Sequence, residues 1–479
     1  MKMAKTRVIA TIGPVSRDPE ILKSLNAAGM SVARLNGSHN TLDWHKETIR
    51  LLRDTLPETP ILLDIPGRKI RTLQLKHEPI FSKGNVLILT TDINYSGEQK
   101  VPVGYDKLHE KLKPGDRIFA DDGTLSFSVV NVDGRDIHIR ADMNGQLKSR
   151  KGINVPGIDL GQSLVTEKDK KMIDFAKDNG VDYIGISFVE SKAHVEAIRN
   201  LINNDTPKIV AKVENSGGIE NLEEVISAAD VIMIDRGDLA VETSINHVSL
   251  YQKKILKTAS LAGKPTIVAT EMLHSMIENP LPTKAEVSDI TNAVLDGAAA
   301  VMLSGETAVG RYPVEAVSRI SGISQLAEAH LSAPKVIERN DKQSDIRKTI
   351  QAITQALPLT RIIVLSRSGY SVRIASMSGS GIPVIAVGND PETVRGWNIF
   401  PDVVGIALEL TESDNPAQEV RIIHTLLERQ LVSESDYVLI ISVQADNTHR
   451  SGNVLRTLYI RSWLTDVAEG DLTKINEVA

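Results

Sequence analysis

Eight short β-branched or aliphatic runs recur along the first two thirds of the chain, and helical patterns separate most of them. The runs are TRVIATIG (6–13), SVARLNGS (31–38), PILLDIPG (60–67), DYIGISFV (182–189), KIVAKVEN (208–215), DVIMIDRGD (230–238), PTIVATEM (265–272) and AAAVMLSGET (298–307). Near-continuous apolar runs of this length mark strands covered on both faces, as in parallel sheets. Between the first two lies DPEILKSLNAAG (18–29), which opens on an acidic cap and stops at glycine, the punctuation of a helix. VEAVSRISGISQLAEAH (314–330) follows the last run. Eight strand–helix units predict a (β/α)8 barrel. An open doubly wound sheet is the other architecture that this alternation permits.

Two stretches fall outside the pattern. Residues 68–156 contain GNVLILTT and PGDRIFADDGTLSFSVVNVDGRDIHIRAD, short alternating strands with turn signals. They predict a small β domain inserted after the third strand, placed as a lid over the barrel's active face. From about residue 345 the pattern restarts: a helix at 346–356, TRIIVLSRSGYS, a helix, PVIAVGND, a helix around 415–430, DYVLIISV and NVLRTLYI. This predicts a separate α/β domain. The expected division is residues 1–68 and 157–340 for the barrel, 69–156 for the lid and 345–479 for the C-terminal domain. A chain of 479 residues is too long for one core.

Composition excludes more than it specifies. A net charge of -6 argues against a general nucleic-acid binder. The absence of cysteine rules out disulfides and thiol chemistry and fits a reducing compartment. The start, MKMAKTRVIATIG, lacks a long apolar segment and a small-residue cleavage site, and no run is long enough to span a bilayer. The expectation is a cytoplasmic protein with no membrane partner.

On a barrel the chemistry sits just past each strand. Those positions carry Thr11, Gly13 and Pro14; Arg34, Asn36, Ser38 and His39; Asp64; Lys212 and Glu214; Arg236, Gly237 and Asp238; Thr270 and Glu271; and Ser304, Glu306 and Thr307. Lys212 and Glu214 are two residues apart, so a strand places them on one face. An ammonium and a carboxylate ending a buried strand are costly unless something pairs them. Asp238 closes the next run. Two carboxylates and an ammonium suit a hard divalent ion and an anionic substrate, and there is no His/Cys nucleophilic set. The collection matches a site for Mg²⁺ and a phosphorylated acid.

The motifs TIGP (11–14), RLNGSH (34–39), KGINVPG (151–157), KVEN (212–215), RGDLAVE (236–242), ATEMLHSM (269–276), PTKAEVSDITNAVLDGAAAVMLSGETA (282–308) and LSRSGYS (365–371) resemble those of pyruvate kinases over essentially the whole chain. The resemblance implies phosphoryl transfer between phosphoenolpyruvate and ADP, giving pyruvate and ATP. It makes Glu214 and Asp238 the Mg²⁺ (or Mn²⁺) ligands, and Lys212 the cation that stabilises the transferring phosphoryl group and the enolate oxygen. It places Thr270 where the enolate methylene takes a proton, and gives Gly237 and Asp238 backbone amides to the substrate carboxylate. Arg34 and Arg71 correspond to phosphate-binding arginines, Arg34 at the catalytic centre and Arg71 on the nucleotide side. Asn36, Ser38, His39 and Lys151 correspond to nucleotide or cation contacts. Ser366, Ser368 and Ser371, around Gly369, correspond to a loop for a sugar-phosphate effector, and RSGNVLRTLYI (450–460) partly matches an effector loop. A homotetramer is implied as well.

The sequence also departs from the family pattern. Gly37 stands where phenylalanine is usual, Asp235 where a small residue precedes RGD, Glu271 where glutamine is usual and Arg68 where proline is usual. FVES (188–191) lacks a basic residue common after S-F. A second acid at 235 is expected to repel the substrate carboxylate. Lys69 occupies a position where glutamate accompanies K⁺ dependence, and Ile65 and Pro66 replace the accompanying Thr-Lys pair. A tethered ammonium near Asn36, Ser38 and Asp64 is expected to make K⁺ dispensable. Two other functions use many of the same residues: a metal-dependent lyase or aldolase acting on a pyruvate-like acid, and a weakly active regulatory paralogue.

Overall fold

The computed structural model describes residues 4–121, 123–158, 161, 164–331, 342–410, 416–445 and 451–468. Eight parallel strands close on themselves: β1 (Arg7–Thr11), β2 (Met30–Asn36), β3 (Ile61–Ile65), β4 (Tyr183–Ile186), β5 (Lys208–Val213), β6 (Val231–Asp235), β7 (Thr266–Ala269) and β8 (Ala300–Leu303). Each pairs with its sequence neighbours, and β1 completes the ring by pairing with β8 through Arg7↔Ala300 to Ala10↔Leu303. Closure decides between the two architectures open to the sequence.

The strands alternate strictly between two apolar environments. Val8, Ala10, Ala33, Leu35, Leu63, Ala211, Val213, Ile232 and Ile234 pack outward on the surrounding helices. Ile9, Val32, Leu62, Val210, Val231, Met233, Ile267 and Met302 belong to the other core, inside the barrel. The period of two then fixes what comes next on the inner face. Above Val32 comes Arg34, above Leu62 comes Asp64, above Val210 come Lys212 and Glu214, and above Met233 comes Asp235. The barrel interior is therefore apolar at its floor and ionic at its C-terminal mouth. The helix between β1 and β2, Pro19–Ala28, is capped by Asp18 and ends at Gly29 with φ +121, a backbone conformation that glycine adopts without strain.

Between β3 and β4 the chain builds a seven-stranded sheet with its own core around Phe127, Ile137, Leu89 and Ile118. Its first strand (Ile70–Arg71) and last strand (Gly152–Asn154) pair antiparallel, Ile153 opposite Ile70. The two connections to the barrel are thus tied together as one hinge. After the barrel, a five-stranded sheet contains four parallel strands (Arg361–Leu365, Val384–Gly388, Val403–Ala407 and Tyr437–Ala445) and an antiparallel edge strand, Ser451–Tyr459. This C-terminal unit lies under the barrel floor. Arg395 Nε donates to Asp182 Oδ1 at 2.9 Å, the Tyr183 hydroxyl donates to the Gly396 carbonyl at 2.9 Å, and Arg7 Nε donates to the Phe400 carbonyl at 2.7 Å. The inner barrel core continues into the C-terminal core through Trp397, Ile362 and Val372.

Candidate active site

At the mouth, Lys212 is buried, and its ammonium faces three carboxylates. Glu214 Oε2 and Asp235 Oδ2 lie 3.1 Å from Nζ and Asp64 Oδ2 lies at 3.5 Å; the Ser187 hydroxyl accepts at 3.3 Å. Burial works to strip the charge from Lys212, but Asp64, Glu214, Asp235 and Asp238 outweigh it and hold the ammonium well above the ordinary lysine range. Arg34 donates to Asp64 Oδ2 at 2.6 Å and to the Thr11 hydroxyl at 3.0 Å. Gly185 makes this possible, because a Cβ there would sit 2.2 Å from Asp64 Oδ1.

Burial pushes Glu214 well above the usual carboxylate range, with only partial relief from Lys212. Asp235 is equally buried, yet Lys212 and Lys69 more than offset that burial and hold it low. Burial raises Asp238 against the opposing pull of Lys69, whose ammonium bonds Asp238 Oδ1 at 2.6 Å. Glu214, Asp235 and Asp238 each offer an oxygen within 4.8 Å of the others. Glu214 Oε1 accepts the Phe188 amide at 2.8 Å, its buried Oε2 has the shared Lys212 ammonium beside it, and Asp64 Oδ1 has no hydrogen bond. A buried carboxyl group with incomplete pairing is costly. Hard carboxylate oxygens gathered this closely suit a divalent cation, so the donor set fits one.

Beside this cluster the end of β7 is conformationally unusual. Thr270 and Glu271 have φ of +68 and +54. The Thr270 hydroxyl accepts the Gly237 amide at 3.0 Å and donates to the Ala269 carbonyl at 2.6 Å. Arg236 clamps the Thr270 carbonyl at 2.6 Å and pairs with Asp289 at 2.6 Å. A cavity of about 350 Å³ opens between lid and barrel, lined by Arg68, Lys69, Asn154, Phe188, Asn215 and Glu242 among others.

The remaining expected residues sit further out. Asn36 Oδ1 accepts the Ser38 amide at 3.1 Å, and the carbonyl of exposed His39 lies 2.9 Å from His45 Nε2. On the lid strands, Arg71 donates to the Arg150 carbonyl at 3.0 Å and Lys151 pairs with Asp121 at 2.6 Å. At β8, Glu306 accepts the Leu273 and Ser304 amides, and Thr307 donates to the Thr11 carbonyl. These two strand-end groups cap backbone. In the C-terminal unit Ser366 Oγ accepts the Gly369 amide at 3.0 Å, and Ser366 and Ser371 are buried. Of the three serines only Ser368 lines the cavity, about 200 Å³, between that unit and the barrel floor, which Lys208, Lys264 and Arg373 also line. Residue 450 lies outside the described residues, and 451–459 form the edge strand.

Most of the departures have partners. A Cβ on Gly37 would lie 2.4 Å from Met172 Cε, so Met172 occupies the space beside it. Arg68 pairs with Glu190 at 2.8 Å, so the basic residue absent from FVES is supplied from across the mouth. Asp235 is bound to Lys212. Nothing in the structure explains Glu271. Sequence reading missed Ser187 and Phe188, which follow β4 and contact Lys212 and Glu214. It also missed Glu242, whose Oε1 accepts from Asn154 Nδ2 at 2.7 Å and whose carboxyl burial pushes up to about 7. RGDLAVE contains Glu242, but only the fold brings Asn154 to it.

Fold and site together define the class: a lidded (β/α)8-barrel enzyme with an ionic mouth. The family model for the pyruvate kinase barrel domain matches residues 3–317, and that for the pyruvate kinase alpha/beta domain matches residues 345–458. Similar proteins include pyruvate kinases of Agaricus bisporus (38% identical, covering 82% of this chain and 77% of that protein), Bacillus licheniformis (35%, 91% and 77%) and Naumovozyma castellii (34%, 93% and 95%). The chain belongs to the pyruvate kinase family. No helix among the described residues is long and apolar enough to cross a membrane.

Proposed function

We propose that the protein transfers a phosphoryl group between phosphoenolpyruvate and ADP, giving pyruvate and ATP. The observation that carries this reading is Lys212, a charged ammonium buried among Asp64, Glu214 and Asp235 at the inner mouth. A preorganised cation in a dry site acts on charge that develops at the enolate oxygen and the transferring phosphoryl group. Arg34, fixed by Asp64 and Thr11, has a buried Nε with no partner and serves the substrate phosphate. The Gly237 and Asp238 amides serve the substrate carboxylate, which must displace the Thr270 hydroxyl from Gly237. Thr270 then stands beside the reacting carbon, where it can pass a proton to the methylene. Glu214 and Asp238 would hold Mg²⁺ or Mn²⁺, which when bound would supply Lewis-acid stabilisation and positioning.

On the nucleotide side we assign Asn36, Ser38 and His39 at the end of β2, and Arg71 and Lys151 from the lid strands. We assign residues 1–68 and 157–340 to the catalytic unit, 69–156 to the lid and 345–479 to an assembly and effector unit. Lys69 supplies the charge that K⁺ would bring. A phosphorylated effector belongs near Ser366, Ser368 and Ser371; Ser368 lines the cavity there with the basic Lys208, Lys264 and Arg373, and with the acidic Asp182, Asp230 and Glu392. The decisive experiment supplies purified protein with Mg²⁺, phosphoenolpyruvate and ADP and couples the products to pyruvate detection. Pyruvate formation that requires ADP is expected. Its absence with every nucleoside diphosphate would overturn the reading.

A further inference from the structure

We propose that Asp235 is a third carboxylate ligand of the divalent-metal site, so that this chain loads its metal on Glu214, Asp235 and Asp238 before substrate arrives. The proposal rests on the metal assignment to Glu214 and Asp238 made above. The resemblance by itself implies a small residue at position 235 and two protein carboxylates for the ion.

Register puts Asp235 at the site. Val231 and Met233 face the barrel interior, so Asp235 is the last inward position of β6. Its oxygen lies within 4.8 Å of ligand oxygens on Glu214 and Asp238. A role as the counter-ion of Lys212 is insufficient to account for it. Lys212 already has Glu214 at 3.1 Å and Asp64 at 3.5 Å, and Asp64 is shared with Arg34. The buried mouth gathers Asp64, Glu214, Asp235 and Asp238 around Arg34, Lys212 and Lys69, leaving one more acid than base. Glu214 Oε2 is fully buried, and its neighbour at 3.1 Å is the Lys212 ammonium, which Asp235 and Asp64 share. One ammonium divided among three buried carboxyl groups leaves them incompletely paired unless a second cation joins them.

The consequence concerns order of binding. Without metal, Asp235 repels a substrate carboxylate approaching the Gly237 amide. With metal held by three carboxylates, that charge is neutralised and less of the coordination depends on substrate oxygens. This chain therefore binds the divalent ion first.

The test is equilibrium Mn²⁺ binding to substrate-free, full-length protein, reading free Mn²⁺ by electron paramagnetic resonance. Asp235→Asn and Asp235→Ala are compared with Glu214→Gln. Alanine keeps the proposal testable if the asparagine variant is unstable, because it removes the carboxylate without leaving a polar group to be buried. Removing a true ligand is expected to weaken Mn²⁺ binding by about tenfold or more, at least the effect of removing a residue that only orients one. Mn²⁺ affinity unchanged within a factor of about two in both Asp235 variants, with Glu214→Gln weakened, would overturn the third ligand and leave the metal assignment standing. Unchanged affinity in all three variants would overturn both.

Discussion

At the residue scale the site is governed by what burial does to charge. Replacing Lys212 by Met keeps bulk and removes the cation. Turnover is expected to fall by roughly 10²–10³-fold, the scale of losing one preorganised electrostatic donor, while phosphoenolpyruvate affinity changes much less, because the charge that Lys212 meets develops in the transition state. A variant altered only in substrate affinity would contradict the role. Glu214→Ala is expected to lower turnover by orders of magnitude while leaving the circular dichroism spectrum intact, and wild-type turnover would remove it from the metal set. Glu242 has a pH signature. Burial raises its folded carboxyl from 4.5 to about 7, so between those values the native state holds a proton that the unfolded state has lost. Its contribution to stability is complete below pH 4.5 and is lost as pH rises through 7. Urea titrations of Glu242→Gln are expected to show a flatter decline in stability from pH 5 to 7.5 than the wild type; identical slopes would show that this carboxyl does not titrate there.

At the scale of elements, the departures from the family pattern read as local exchanges between neighbouring segments. The end of β2 gives up a side chain at Gly37, and the helix Glu167–Asp178 fills the space with Met172. Gly37→Ala is expected to destabilise the protein by about 1–3 kcal/mol, the usual range for overpacking a core. Met172→Ala in the same chain should return part of that loss, because the two sites touch; strict additivity in thermal melts would separate them. The hinge offers a second exchange. Lys69 immediately precedes the paired lid strands and reaches Asp238 at 2.6 Å, where a tethered ammonium stands among the site's acids. Near-full activity is expected with tetramethylammonium as the sole monovalent cation. A tenfold rise on adding K⁺ would show that Lys69 does not take its place.

At the scale of the whole molecule, barrel and C-terminal unit are joined by buried contacts. Asp182, fully buried, receives both Arg53 and Arg395, and so links a barrel helix to the C-terminal unit. The inner barrel core runs on into that unit through Trp397. A disturbance in the C-terminal unit therefore has a packed route to the barrel floor, and an effector acting through assembly would bias two quaternary arrangements. A homotetramer is expected by light scattering at assay concentration. A monomer alone would remove that form of regulation, though not the chemistry of the mouth.

Much of this was legible in the chain itself. Eight apolar runs with glycine-stopped and acid-capped helices specify strands and helices because burial on two faces and helix-end hydrogen bonding are local demands. The alternation of Val210, Lys212 and Glu214 already placed two charges on one strand face. The motifs themselves, above all PTKAEVSDITNAVLDGAAAVMLSGETA (282–308), carried the family resemblance. Closure of the sheet was not local, since β1 meets β8 across nearly three hundred residues. Nor were the partnerships Arg68–Glu190, Gly37–Met172, Glu242–Asn154 and Lys69–Asp238, each joining residues that only the barrel and its lid bring together. Asp235 shows the division most plainly. In sequence it is an extra acid that should repel substrate. In the folded barrel it lies 3.1 Å from Lys212 and within reach of Glu214 and Asp238, because the sign and magnitude of an electrostatic effect depend on distance and burial, which the linear order of residues does not contain.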